Sequence, residues 1–189
     1  LLGKPLLFWS IEAALNSNFI DIVAISTNDE IIISKVRKQY GKNKRVIIVK
    51  RPDSISGEAS KTEEAMVHTI EHLESNGMSF DIVCLLQATS PFRTNDLVSR
   101  CLKEMINSKR DSVMTVSKHT PFFWKYKSEQ EVEALYSITK RPMRQELSLG
   151  DFYFHDNGNV YACKTSLLQR NIPRRIGNNP ILVETSLIE

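Results

Sequence analysis

The chain of 189 residues contains no apolar run long enough to cross a bilayer, which excludes a helical membrane protein. It has only three cysteines, Cys84, Cys101 and Cys163, with no Cys-x-x-Cys spacing. An odd count so spaced excludes a disulfide framework or a zinc ribbon and points to reduced, small apolar side chains in a cytoplasmic compartment. The 25 Lys and Arg exceed the 22 Asp and Glu by three, with no basic tail. That balance excludes a nucleic-acid surface and leaves a small anion as the expected kind of partner. No internal repeat or low-complexity tract is present, and no basic segment precedes the apolar stretch at 6–9 as a signal peptide would require. With Leu1 rather than Met at its start, the chain reads as beginning in mid-protein.

What is present is a 41% hydrophobic chain of one-domain length, residues 1–189. Apolar runs of strand length alternate with amphipathic segments of helix length, and Gly, Pro, Asn and Asp collect at the breaks. Helices are expected over 5–17, with Leu6, Phe8, Trp9, Ala13 and Ala14 inward, and over 28–39, 60–75 and 94–107. Strands are expected over 21–27, 45–49, 81–86, 111–117, 158–163 and 181–185, with a short helix from Thr165. Strand and helix in alternation with short links predict an α/β fold, a mostly parallel sheet covered on both faces. From His119 to about Asp151 the rhythm fails, and aromatic residues mix with charges as in a two-stranded ribbon. This stretch reads as an inserted, protruding arm.

In an open parallel sheet ligands bind at the carboxyl ends of strands, so a site is expected at the loops after Thr27, Val49, Leu86 and Val116. The run Leu86-Gln87-Ala88-Thr89-Ser90-Pro91-Phe92-Arg93-Thr94 delivers an amide, hydroxyls and a guanidinium to one rim. Gln87 suits a polyhydroxylated ligand, while Thr94 reads as a helix cap. Arg51 opens a segment reaching Ser60 and Thr62 at a helix start, a setting that favours a nucleotide. Composition alone reads the same segment as a solvated loop with Ser60 as a cap. A third cluster, Lys140-Arg141-Pro142-Met143-Arg144-Gln145, can clamp carboxylate or phosphate, and Asn157-Gly158 reads as a turn where a ligand approaches backbone. His68 and His72 stand four apart on a helix without further ligands, so they read as solvated surface residues.

Taken together, Leu2-Gly3-Lys4-Pro5-Leu6, Ile25-Ser26-Thr27-Asn28-Asp29-Glu30, Leu86-Gln87-Ala88-Thr89-Ser90-Pro91, the Lys140 to Gln145 run and Asn157-Gly158 resemble the acylneuraminate cytidylyltransferases, or CMP-sialic acid synthetases. The resemblance covers essentially the whole chain. It implies a three-layer, Rossmann-like nucleotide-diphospho-sugar transferase fold, a homodimer built through an arm at 119–150, and transfer of CMP from CTP to a nonulosonic acid. By the same resemblance Arg51, Ser60 and Thr62 hold the nucleotide. Gln87, with Thr89 and Ser90 in its motif, meets the sugar; Arg144 and Arg141 serve catalysis, with Lys140 beside them. Asn157, Gly158 and Tyr161 line the sugar pocket, and His155 stands where some relatives carry arginine. Mg²⁺ is implied too, but the family's glycine-containing triphosphate loop, its first strand and its metal-holding aspartate pair are not among these 189 residues. Without that central strand the sheet is expected to show an open seam. Two rivals stand beside this reading: a 3-deoxy-manno-octulosonate cytidylyltransferase, and a non-catalytic sugar- or nucleotide-binding module.

Overall fold

The computed structural model describes residues 1–169 and 171–185. In chain order the elements are α1 (Leu6–Leu15), β1 (Val23–Thr27), α2 (Glu30–Tyr40), β2 (Val46–Lys50), α3 (Thr62–Ser75), β3 (Ile82–Leu85), α4 (Leu97–Ser108) and β4 (Ser112–His119). They continue with β5 (Trp124–Tyr126), β6 (Val132–Ala134), β7 (Tyr153–Lys164) and β8 (Ile181–Glu184). Single 3-10 turns stand at Asp53–Ile55, Arg144–Glu146, Leu149–Asp151 and Thr165–Leu167.

The main sheet runs β3-β7-β4-β8. β7 is antiparallel to both β3 and β4, whereas β8 is parallel to β4. Three of its four strands therefore share one direction, but the reversed strand at its heart makes two of its three pairings antiparallel, so the sheet is mixed. Side-chain alternation along these strands sorts the helices onto two faces. Ile82, Cys84, Val160 and Ala162 pack toward α4 through Leu97, Val98, Cys101, Leu102 and Met105. Val83, Leu85 and Cys163 point the other way, onto Met66 and Ile70 of α3. The three-layer arrangement follows directly.

A second, two-stranded parallel sheet, β1-β2, packs on α1 and α2 through Ile11, Ala14, Val23, Ile25 and Val36. Among the described residues β1 and β3 each have a hydrogen-bonded neighbour on one side only, and their other edges face a common cleft of about 680 Å³. This cleft is the seam between the two sheets. Arg45 closes the far end of the β1 unit, donating to the carbonyls of Leu15, Ser17, Ile20 and Asp21.

Local details differ from expectation. Leu6 is exposed, and the buried face of α1 is Ser10, Ile11, Ala13 and Ala14. Asp29 caps α2, its carboxylate accepting from the amides of Ile31 at 2.7 Å and Ile32 at 3.3 Å. Neither Ser60 nor Thr94 is a cap residue: α3 starts after Lys61, whose amide donates to Glu64, and α4 starts after Asp96. His68 is half-buried rather than solvated, with a sheltered Nδ1 that has no partner among the described residues. Burial pushes each of the three free thiols up to about 12, so they behave as the apolar residues expected.

The arm carries one antiparallel hairpin, β5 with β6, pairing Trp124 with Ala134. Its Trp124, Tyr126, Ile138, Met143 and Leu149 are exposed among charged neighbours on the outside of the arm. At its base Phe123 meets Tyr153 edge-on at 5.4 Å and His119 stands 6.1 Å from His155.

Candidate active site

The largest departure from the sequence reading builds the site. Asn157-Gly158 is not a turn between strands but lies inside β7, which begins five residues earlier than expected. Met114 pairs with Tyr161 and Val116 with Asp156, so residues 157–160 of β7 stand opposite the single Thr115. The wide bulge needs a post, and buried Thr115 supplies one. Its Oγ1 donates to Asn157 Oδ1 at 2.7 Å and accepts the Val160 amide at 3.0 Å. Asn157 Nδ2 donates to Thr185 at 2.7 Å and Ser117 at 3.3 Å. The Asn157 amide is thus consumed inside the fold, shaping the bulge rather than facing a ligand.

Gly158 sits on the crest of this bulge with φ +76, a left-handed conformation that favours glycine. Gln87 and Ser90 lie directly over it. A Cβ placed on residue 158 would come within 2.5 Å of Gln87 Oε1 and 3.0 Å of Ser90 Oγ. Ser90 also donates to the Asn157 carbonyl at 3.4 Å. The structure therefore joins Gln87, Ser90, Asn157 and Gly158, four residues the sequence singled out in two separate segments. Thr89 is exposed in the same loop.

Arg51, Ser60 and Thr62 share the wall of the seam with Thr27, Leu86 and Ala88. The Arg51 amide donates to the Thr27 carbonyl at 2.9 Å, which fixes the loop after β2 against the end of β1. Its guanidinium Nε donates to Ser56 Oγ at 3.0 Å. A cation and hydroxyls at the start of α3 thus open onto the cleft at the carboxyl ends of β1 and β3, beside the Gln87 loop.

Tyr161 is buried on the opposite face of β7 from Val160. Its hydroxyl donates to Asp156 at 3.3 Å, and the Arg175 guanidinium lies 5.0 Å over its ring while also pairing with Glu63 of α3 at 3.0 Å. Burial first, and the Asp156 charge second, raise the Tyr161 phenol above its ordinary range. Tyr161 therefore braces β7 against α3. His155 is exposed on β7 across from Ser117.

The arm cations are placed differently from one another. Arg141 lies 4.3 Å over the Phe122 ring and 5.6 Å from that of Tyr136, held by cation-π contact within the arm. Lys140 and Arg144 are exposed. Among the described residues none of the three makes an ion pair, nor a side-chain hydrogen bond to the Gln87 and Gly158 group. Sequence reasoning passed over Thr115, and it brought the Arg93 guanidinium to the rim without giving it a role. For Arg93 a signal existed, since it is the only Lys or Arg between Lys61 and Arg100.

A model of the family described as Cytidylyltransferase matches residues 1–173. The chain belongs to the cytidylyltransferase family. It is 34% identical over 108 residues to a pseudaminic acid cytidylyltransferase of Campylobacter jejuni, covering 57% of this chain and 45% of that protein. It is 29% identical over 181 residues to N-acylneuraminate cytidylyltransferase A of Danio rerio, covering 91% of this chain and 38% of the relative. The chain thus spans less than half the length of these two curated cytidylyltransferases. The solved structure of a CMP:2-keto-3-deoxy-manno-octonic acid synthetase complexed with CTP superposes with a TM-score of 0.61 at 20% identity, over 97% of this chain and 80% of the other. At that identity it establishes the fold alone, a nucleotide-diphospho-sugar transferase type. No described helix is long and apolar enough to cross a membrane.

Proposed function

We propose that this cytidylyltransferase takes CTP and a nonulosonic acid of the sialic-acid kind, releasing pyrophosphate and a CMP-sugar. The observation that carries the reading is the stacking of Gln87 and Ser90 on the Gly158 crest, beside the seam into which Arg51, Ser60 and Thr62 open. One subsite is bordered by an amide, a hydroxyl and bare backbone, the other by a cation and a helix start. The first suits a sugar's hydroxyl and acyl groups, the second a nucleotide.

The reaction is attack by the sugar's anomeric hydroxyl on the α-phosphorus of CTP, with the pyrophosphate oxygen leaving. Such a displacement needs alignment and charge neutralisation more than a protein nucleophile. Arg51 orients the nucleotide, and Gln87 holds the sugar with its reacting hydroxyl turned toward the phosphate. Arg144, with Arg141 and Lys140, brings positive charge to the sugar carboxylate and the transferring phosphoryl group. In this reading the arm at 119–150, with its exposed aromatic and aliphatic residues, pairs two copies, so that the arm cations of one copy reach the other's site. Mg²⁺ is the metal that this chemistry implies. The described residues hold no group of three or more His, Cys, Asp or Glu side chains placed to bind one, and every step above is made by the chain's own groups.

Pyrophosphate release from CTP, measured on the full-length protein with sialic, legionaminic and pseudaminic acids and with 3-deoxy-manno-octulosonate, tests the proposal. Turnover with one of the first three is expected. Turnover with the octulosonate alone gives the site to the shorter acid, and silence with every sugar makes the chain a binding module. Gln87→Ala is expected to raise the KM for the sugar about tenfold, the scale of one lost hydrogen bond to a ligand, and to leave the KM for CTP within about twofold. A defect confined to CTP would remove Gln87 from the sugar subsite.

A further inference from the structure

Arg93 is a half-buried cation with no carboxylate partner among the described residues. All of its described contacts are to neutral oxygens. Nη2 donates to the Gln87 carbonyl at 2.6 Å, Nε to the Asn159 carbonyl at 2.6 Å, and Nη1 to Ser10 Oγ at 2.9 Å. The Ser10 hydroxyl in turn donates to the same Gln87 carbonyl at 3.4 Å. One planar group therefore ties together the start of the Gln87 loop, the far side of the Gly158 bulge and helix α1.

These three anchor points matter because of what they flank. Gln87 carries the amide that lies on Gly158, and Asn159 is the next residue along the bulge. Holding the carbonyls of 87 and 159 fixes the distance between loop and crest, and so the place of the amide between them. A cation is an expensive way to achieve stability alone, since burying a charge against carbonyls costs more than burying a neutral side chain of the same size. Desolvation lowers the Arg93 pKa to about 10, which still leaves it charged at neutral pH.

We propose that Arg93 is a positioning residue for the sugar subsite, a clasp that sets the Gln87 amide over the Gly158 crest through the carbonyls of Gln87 and Asn159 and the Ser10 hydroxyl. The assignment rests on the proposed function for its substrate, but its geometry stands without it. The three acceptors lie around a flat fork, so a lysine ammonium cannot serve them together.

The test compares Arg93→Met, Arg93→Lys and Ser10→Ala in the full-length protein, reading steady-state kinetics for each substrate and amide hydrogen exchange across residues 86–93. Arg93→Met is expected to lower kcat/KM for the sugar by one to two orders of magnitude, with the KM for CTP within about twofold and faster exchange in the loop. Arg93→Lys recovers little, and millimolar guanidinium partly rescues Arg93→Met but not the wild type. Ser10→Ala moves the same quantities in the same direction by less, and decides the matter if Arg93→Met does not fold. Equal losses toward CTP and sugar, or unchanged exchange in the loop, overturn the clasp. A wild type that turns over no nonulosonic acid overturns the proposed function instead, and the exchange measurement then still decides for or against Arg93.

Discussion

Replacing Arg144 by alanine is expected to lower the proposed CMP transfer about a thousandfold, the scale of an arginine that neutralises a transferring phosphoryl group, and to leave thermal unfolding unchanged. Both halves of this expectation come from the same observation. Arg144 opens a single 3-10 turn in the arm, is exposed, and its side chain makes no hydrogen bond or ion pair among the described residues. Nothing in the fold is lost when it goes, so any kinetic loss belongs to the reaction. Arg141 provides the contrast within the same cluster. Its guanidinium is spread over Phe122 and Tyr136, so Arg141→Ala loosens the arm as well as removing charge. Arg144→Lys keeps the charge without the fork and recovers part of the lost rate. Turnover of Arg144→Ala within twofold of wild type, measured as pyrophosphate release at saturating substrates, would take the residue out of the mechanism.

The alternation of strands and helices was legible where a strand is covered on both faces, as β3 is. Ile82 and Cys84 go to α4 while Val83 and Leu85 go to α3, so the run is apolar throughout, and only a covered strand reads that way. The arm was legible for the opposite reason, its apolar residues standing outside among charges that pair across the hairpin, as Lys125 does with Glu133 at 3.0 Å. The reversed direction of β7 was not legible. Strand periodicity is the same in either direction, and direction is set by partners distant in sequence. The Asn157-Gly158 pair shows the limit most clearly. It read as a turn, but a hairpin turn and a bulge within one long strand both ask for a glycine with φ above zero. What separates them is Thr115, more than forty residues away, whose hydroxyl fills the bulge. Helix caps failed in a similar way. Ser60 and Thr94 have the right chemistry, yet the cap positions of α3 and α4 fall one and two residues beyond them, at Lys61 and Asp96.

Gly158→Ala is the sharpest test of the site's geometry, because it adds one methyl group and carries two separable penalties. The first is conformational: a side chain at φ +76 costs about 1–2 kcal/mol wherever it stands, and lowers the melting temperature accordingly. The second is steric and local. The new Cβ would meet Gln87 Oε1 at 2.5 Å and Ser90 Oγ at 3.0 Å, so the amide must swing off the crest. The backbone beneath cannot give way, pinned as it is by Thr115 on Asn157 and Val160. Gly158→Ala is therefore expected to raise the sugar KM about a hundredfold, the loss of the amide contact together with obstruction of the crest, while CTP binding changes little. A double-mutant cycle with Gln87→Ala separates the two penalties. With the amide already gone, adding Gly158→Ala should cost the same stability as before but only a fraction of the former sugar-side loss. If the two substitutions instead multiply independently in the sugar kcat/KM, the amide and the glycine act at different places, and the subsite built on their contact is wrong.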